Sequence, residues 1–190
     1  MHRTSFGQFA RRRNAAGFTL IEAALTTVIV GVGVLAIMSA QQAYHRKNQW
    51  AQRTGTAVLL ANEIREMTLS LPQHDPFEPN HMGPEDDELT VADYDDLDDF
   101  AGTVTGGSGS GTTFNPPINA LLEPIPDMDD WQQTVIVENV LDNYVSGPGV
   151  GLGTTDLMRV TVQIHARYND DPPEDPPANL ITTLTWVVGQ

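Results

Sequence analysis

The chain has 190 residues, no cysteine and a net charge of −15. Without thiols it has no disulfide framework and no thiolate metal site. The charge is unevenly placed: Arg3, Arg11, Arg12 and Arg13 precede Gly17, all 25 acidic residues follow it, and from Phe18 onward the balance is −19. A body that acidic repels phosphate backbones and argues against nucleic acid as a partner.

Phe18 to Ala40 is a run of 23 residues with one charge, Glu22. At a rise of about 1.5 Å per residue, a helix of that length crosses a bilayer core of about 30 Å. The basic cluster ahead of it predicts a cytoplasmic N-terminus. The run is longer than the h-region of a conventional signal peptide, and no clean small-x-small site follows it. All 13 prolines come after Leu71. From Gln41 the sequence turns polar but keeps a helical stripe: Trp50, Thr54, Ala57, Ala61, Ile64, Thr68 and Leu71 step by four and three. This spacing predicts one continuous helix over 18–71, membrane-spanning over 18–40, ended by Pro72. Such a helix is about 80 Å long and too long for a small domain to bury whole.

Residues 72–133 predict an irregular region. It holds two acidic runs, Glu85 to Glu88 and Asp93 to Asp99, and a Gly/Ser stretch, Gly102 to Thr113, that reads as a flexible loop. Residues 134–190 predict an antiparallel sheet. Met158, Val160, Val162, Ile164, Ala166 and Tyr168 alternate with polar residues; Leu180 to Val188 and Thr134 to Val140 supply two more strands. Ser146 to Gly149 and Asp170 to Pro173 mark the turns. The apolar face of this three-stranded meander needs a cover, and the helical stripe provides one. The expected fold is α+β: a long N-terminal spine, transmembrane in its first half, with a small antiparallel sheet packed on its second half.

The junction Ala15-Ala16-Gly17-Phe18-Thr19-Leu20-Ile21-Glu22 resembles the type IV pilin superfamily, in which a leader ending in glycine precedes Phe-Thr-Leu-x-Glu and an apolar helix. The resemblance implies a leader, residues 1–17, removed by prepilin peptidase between Gly17 and Phe18, and N-methylation of Phe18. It places Glu22 at the fifth position of the mature chain, where the family carries its glutamate for assembly. A carboxylate at the start of a span is costly unless paired. The new ammonium on Phe18, of the same or an adjacent subunit, is the partner implied; a glutamate snorkelling to the headgroups is the other reading. Val32 to Leu35, Gln41-Gln42 and Ala57 to Met67 resemble V-type minor pilins and I-type minor pseudopilins, which often carry a tryptophan in the last strand, as Trp186 here. Many filament pilins have a proline in the spanning helix. This chain has Ser39 there, with Gly31 and Gly33 to loosen it. The partners implied are other pilin-like subunits, the peptidase and an inner-membrane assembly platform. The body then lies in the periplasm, or in a pilus or type II secretion filament.

No constellation in the sequence points to catalysis or a bound cofactor. Asp93, Asp95, Asp96, Asp98 and Asp99 carry oxygen donors suited to calcium, but lack an EF-hand's glycine and terminal glutamate. They read as a solvated loop, as do Asp127, Asp129 and Asp130. His74, Asp75, Glu78 and His81 match no zinc spacing and read as exposed loop residues. His165 falls on the polar face of its strand. The expected function is a non-enzymatic filament subunit; the alternative is a tip-located ligand- or calcium-binding or adhesion subunit.

Overall fold

The computed structural model describes residues 17–78, 80–168 and 176–189. The basic residues ahead of Gly17 and the turn expected at 170–173 lie outside them. The chain divides into two compact units, Met1–Asn48 and Gln49–Gln190.

One helix, α1, runs from Leu20 to Thr68. Over residues 20–40 it is apolar all round apart from Glu22, and no residue of its most apolar stretch is buried. It is long and apolar enough to cross a membrane. Its hydroxyls are satisfied locally: Thr26, Thr27 and Ser39 donate to the carbonyls of Glu22, Ala23 and Leu35 at 2.7, 2.9 and 2.9 Å. Such back-bonding lets a hydroxyl sit in an apolar medium. The helix passes through Gly31 and Gly33 without interruption. It ends four residues before Pro72, whose ring disfavours helical geometry in the residue before it.

In the second unit, the end of α1 covers a four-stranded antiparallel sheet in chain order: β3 (Thr112–Phe114), β4 (Trp131–Asn139), β5 (Leu157–Ala166) and β6 (Asn179–Gly189). A small separate hairpin pairs β1 (Val104–Thr105) with β2 (Ser108–Gly109). The alternation read in β5 is realised, with Met158, Val160, Val162, Ile164 and Ala166 all buried. Val137, Val160 and Trp186 stand side by side across three strands. Ala57, Leu60, Ala61, Ile64 and Met67 of α1 join Val135, Val137, Val160, Val162 and Ile164 in one core. Each large apolar side chain buried there contributes about 1.5–3 kcal/mol.

The helical stripe is real but shorter than its spacing implied. Trp50 is 63% exposed, and the buried positions begin at Ala57. Ahead of Ala57, Arg53 reaches the segment just past β5: its guanidinium lies 4.7 Å from the Tyr168 ring centroid and donates to the Arg167 carbonyl at 3.2 Å. A buried glutamine fixes the packing. Gln133 of β4 donates to the carbonyls of Leu60 (2.9 Å) and Ile118 (3.2 Å), and its Oε1 accepts from the Ile118 N–H at 2.7 Å.

The described residues of 72–133 carry few regular elements, as expected, yet Leu97, Phe100, Ala101, Phe114 and Ile118 among them are buried in the core. The Gly/Ser stretch is not a free loop: it forms the β1–β2 hairpin and supplies β3 as a fourth strand. Gly109 shows how close that packing is, since a Cβ there would stand 2.5 Å from the Ala101 carbonyl oxygen. The fully buried 3-10 turn Asp98–Ala101 places Phe100 edge-on to Tyr94 and Phe114, at 5.2 and 6.3 Å between ring centroids.

Candidate functional site

Two places on the chain concentrate unusual chemistry: the start of α1 and the acidic segment between Gln73 and Ala101. Gly17, Phe18 and Thr19 precede the helix and are exposed. Thr19 caps it. Its carbonyl accepts from the Ala23 N–H at 3.1 Å, and its hydroxyl accepts from the Glu22 N–H at 3.3 Å. Thr19-Leu20-Ile21-Glu22 thus has the spacing of a capping box, with the acid in the first turn where the helix dipole favours it. The Glu22 carboxylate has no hydrogen-bond or ion-pair partner among the described residues. Phe18 lies outside the helix, so the four-residue separation from Glu22 does not put the two on one helical face here.

The acidic segment differs from its sequence reading. Asp93 and Asp95 are exposed, as a solvated loop requires, but Asp96 and Asp99 are 0% exposed and Asp98 is 1% exposed. The reason is local. Leu97, Phe100 and Ala101 all enter the core and carry the aspartates between them below the surface. The segment is anchored by the Leu97 N–H, which donates to the Pro72 carbonyl at 3.0 Å.

Each buried carboxylate is half satisfied. Asp99 Oδ2 accepts from the N–H groups of Asp95 and Asp96 at 3.0 and 3.1 Å. Asp96 Oδ1 accepts from those of Asp98 and Asp99 at 2.9 and 3.3 Å. The second oxygens, Asp99 Oδ1 and Asp96 Oδ2, are buried with no hydrogen-bond partner. Asp98 Oδ2 lies 2.9 Å from Nδ1 of His74. His74 is therefore not the exposed loop histidine its sequence context suggested: burial pushes its pKa down, against the pull of the Asp96 charge. His81 stands 3.5 Å from Glu85.

Glu85 and Glu88 approach Asp99 from the other side, and one carboxylate oxygen from each of the three lies within 4.8 Å of the others. Asp95, Asp96 and Asp99 form a second such trio. Burial and mutual repulsion push the carboxyls of Glu85, Asp96 and Asp99 up to about 8, and Asp98 to about 6. A cleft of about 250 Å³, lined by Asp75, Glu85, Asp87, Glu88, Asp93 and Asp95, opens beside the cluster. Sequence reasoning missed Glu85 and Glu88 as part of it. The available signal was the apolar spacing of Leu97, Phe100 and Ala101 inside an acidic run.

The remaining acids behave as read: Asp127, Asp129 and Asp130 are exposed, and Asp130 pairs with Arg167 at 2.9 Å. His165 is half-buried rather than free on the surface, and burial lowers its pKa. Comparisons with protein-family models, curated proteins and solved structures found no match for this chain.

Proposed function

We propose that this chain is a minor pilin or pseudopilin, a non-enzymatic subunit of a type IV pilus or type II secretion-like filament. One coincidence carries the reading. Gly17 and Phe18 stand directly ahead of a helix that carries Glu22 in its first turn and whose apolar residues, from Leu20 through Leu25, Ile29 and Leu35 to Met38, are exposed all round. A helix apolar on every face needs lipid or other helices around it. Filament assembly supplies both in turn. The subunit waits in the inner membrane, single-pass with its N-terminus in the cytoplasm, and then packs against its neighbours. Small residues in the span (Ala23, Ala24, Gly31, Gly33 and Ala36) permit close helix approach.

In this reading prepilin peptidase cuts between Gly17 and Phe18. Gly17 and Phe18, exposed and ahead of the first turn of α1, suit a protease. The ammonium created on Phe18 becomes available to a carboxylate. Because Phe18 precedes the helix, Glu22 of a neighbouring subunit is a better partner than Glu22 of the same chain. The pair then sets the stagger between adjacent helices: matched charges hold one register, and any other leaves a carboxylate unpaired in a low-dielectric bundle.

The test is intact mass and N-terminal analysis of the protein taken from its native membrane. A chain beginning at N-methylated Phe18 supports the proposal. A chain retaining residues 1–17 makes it an uncleaved single-pass anchor and ends the filament reading.

A further inference from the structure

The acidic lobe does not depend on the filament reading. Five carboxylates, from Glu85, Glu88, Asp95, Asp96 and Asp99, converge on a small volume, and Asp99 belongs to both trios. No lysine or arginine side chain pairs with any of the five among the described residues. Two of them, Asp96 and Asp99, are fully buried, and burying a charge without a counter-charge is costly. What the backbone gives them is only half of what they need. Its N–H groups fill one oxygen each of Asp96 and Asp99, and the other oxygens, Asp96 Oδ2 and Asp99 Oδ1, stay without a partner at 0% residue exposure.

We propose that this lobe is a binding site for a hard divalent cation of the calcium class, with Asp99 as the shared ligand between Asp95 and Asp96 on one side and Glu85 and Glu88 on the other. The donors are all carboxylate oxygens, the set that calcium prefers and that soft metals do not. The oxygens of each trio lie within 4.8 Å of one another, a span that an ion about 2.4 Å from each ligand bridges. The backbone carrying them is irregular and so adapts to calcium's variable coordination. The acidic cleft beside the cluster gives the ion a route from solvent along negative potential.

The competing account is that the carboxyls share protons and stay neutral. The two accounts part on one experiment. The full chain in detergent is stripped with chelator at pH 7.5, and its thermal unfolding is followed with calcium, magnesium, or sodium chloride at matched ionic strength. With calcium at about 10 mM, well above the weakest calcium modules' dissociation constants, Tm rises by at least about 5 °C and the rise saturates. Magnesium gives less, and sodium gives none. The double variant Asp96→Asn, Asp99→Asn keeps oxygens for the backbone N–H groups. It unfolds at a higher temperature than the chelated parent and no longer responds to calcium. If that variant does not fold, Glu88→Gln serves instead, weakening the calcium midpoint by about tenfold or more. A Tm unmoved by calcium, moved equally by sodium, or moved equally in the variants overturns the proposal.

Discussion

Asp96 and Asp99 hold each other's backbone: Asp99 Oδ2 accepts from the Asp96 N–H at 3.1 Å, and Asp96 Oδ1 accepts from the Asp99 N–H at 3.3 Å. The two carboxylates are thereby fixed a turn apart with their spare oxygens buried.

This pairing predicts an unusual pH dependence for the metal-free chain. Carboxyls whose folded pKa is raised from near 4 to about 8 favour folding in their neutral form. Their contribution is complete below about pH 4 and is lost as pH rises toward 8. His74, whose pKa is lowered, acts in the opposite sense, losing its contribution as pH falls through its ordinary value near 6.5. Two histidines, His74 and His165, oppose the four raised acids Glu85, Asp96, Asp98 and Asp99, so Tm in chelator falls between pH 5 and pH 8, and calcium removes most of that fall at pH 8. Melts across this range, with and without chelator, check it.

Glu22→Gln tests the proposed register pair. The cap is the Thr19 hydroxyl on the Glu22 backbone N–H, which the substitution keeps, so helix content stays the same by circular dichroism. On the filament proposal a charge partner for the Phe18 ammonium is lost, processing continues, and incorporation into filaments falls by tenfold or more, on the order of 1.4 kcal/mol of register energy. Normal incorporation of the glutamine variant removes Glu22 from the register.

On the filament proposal, Gly17→Ala isolates the peptidase step. A Cβ at Gly17 meets no atom within 4 Å. The substitution leaves the melt of the folded unit unchanged while the leader stays on, which mass analysis reads directly.

Gly31 and Gly33 have the same open surroundings. The double substitution Gly31→Leu, Gly33→Leu therefore leaves this chain's own stability intact, or raises it by the helix propensity gained. On the filament proposal, any loss appears only between helices, as reduced cross-linking of adjacent subunits through their spans.

Gln133→Ala orphans the buried Ile118 N–H and opens a gap beside Leu60. The expected cost is about 2–4 kcal/mol, with a Tm fall of roughly 5–15 °C in thermal melts.

The α+β layout was legible because its signals are periodic. Met158 to Ala166 alternates without error, and Ala57, Ala61, Ile64 and Thr68 repeat at helical spacing. The stripe cannot show where the sheet stops, so it extends to Trp50 although the core begins at Ala57. Four-three stepping follows one edge of a face two residues wide, so it omits Leu60 and Met67. The acidic run misled more deeply. Charge density reads as solvation in any local window, and what sinks Asp96, Asp98 and Asp99 is the long-range docking of Leu97 and Phe100. The Gly/Ser stretch was misread for a related reason: glycine marks flexibility and close approach equally, and only a neighbour such as Ala101 distinguishes them.

The Gln133 amide has a mechanical consequence. A pull along α1 within the folded unit acts parallel to the helix surface that covers the sheet. Slipping by a single residue would travel about 1.5 Å and turn the helix by about 100°. It would carry the Leu60 carbonyl away from Gln133 while rotating Ala57 and Ala61 out of the core. These contacts must yield together rather than one after another. The joint therefore resists tension in shear, the loading geometry in which a packed helix is hardest to strip.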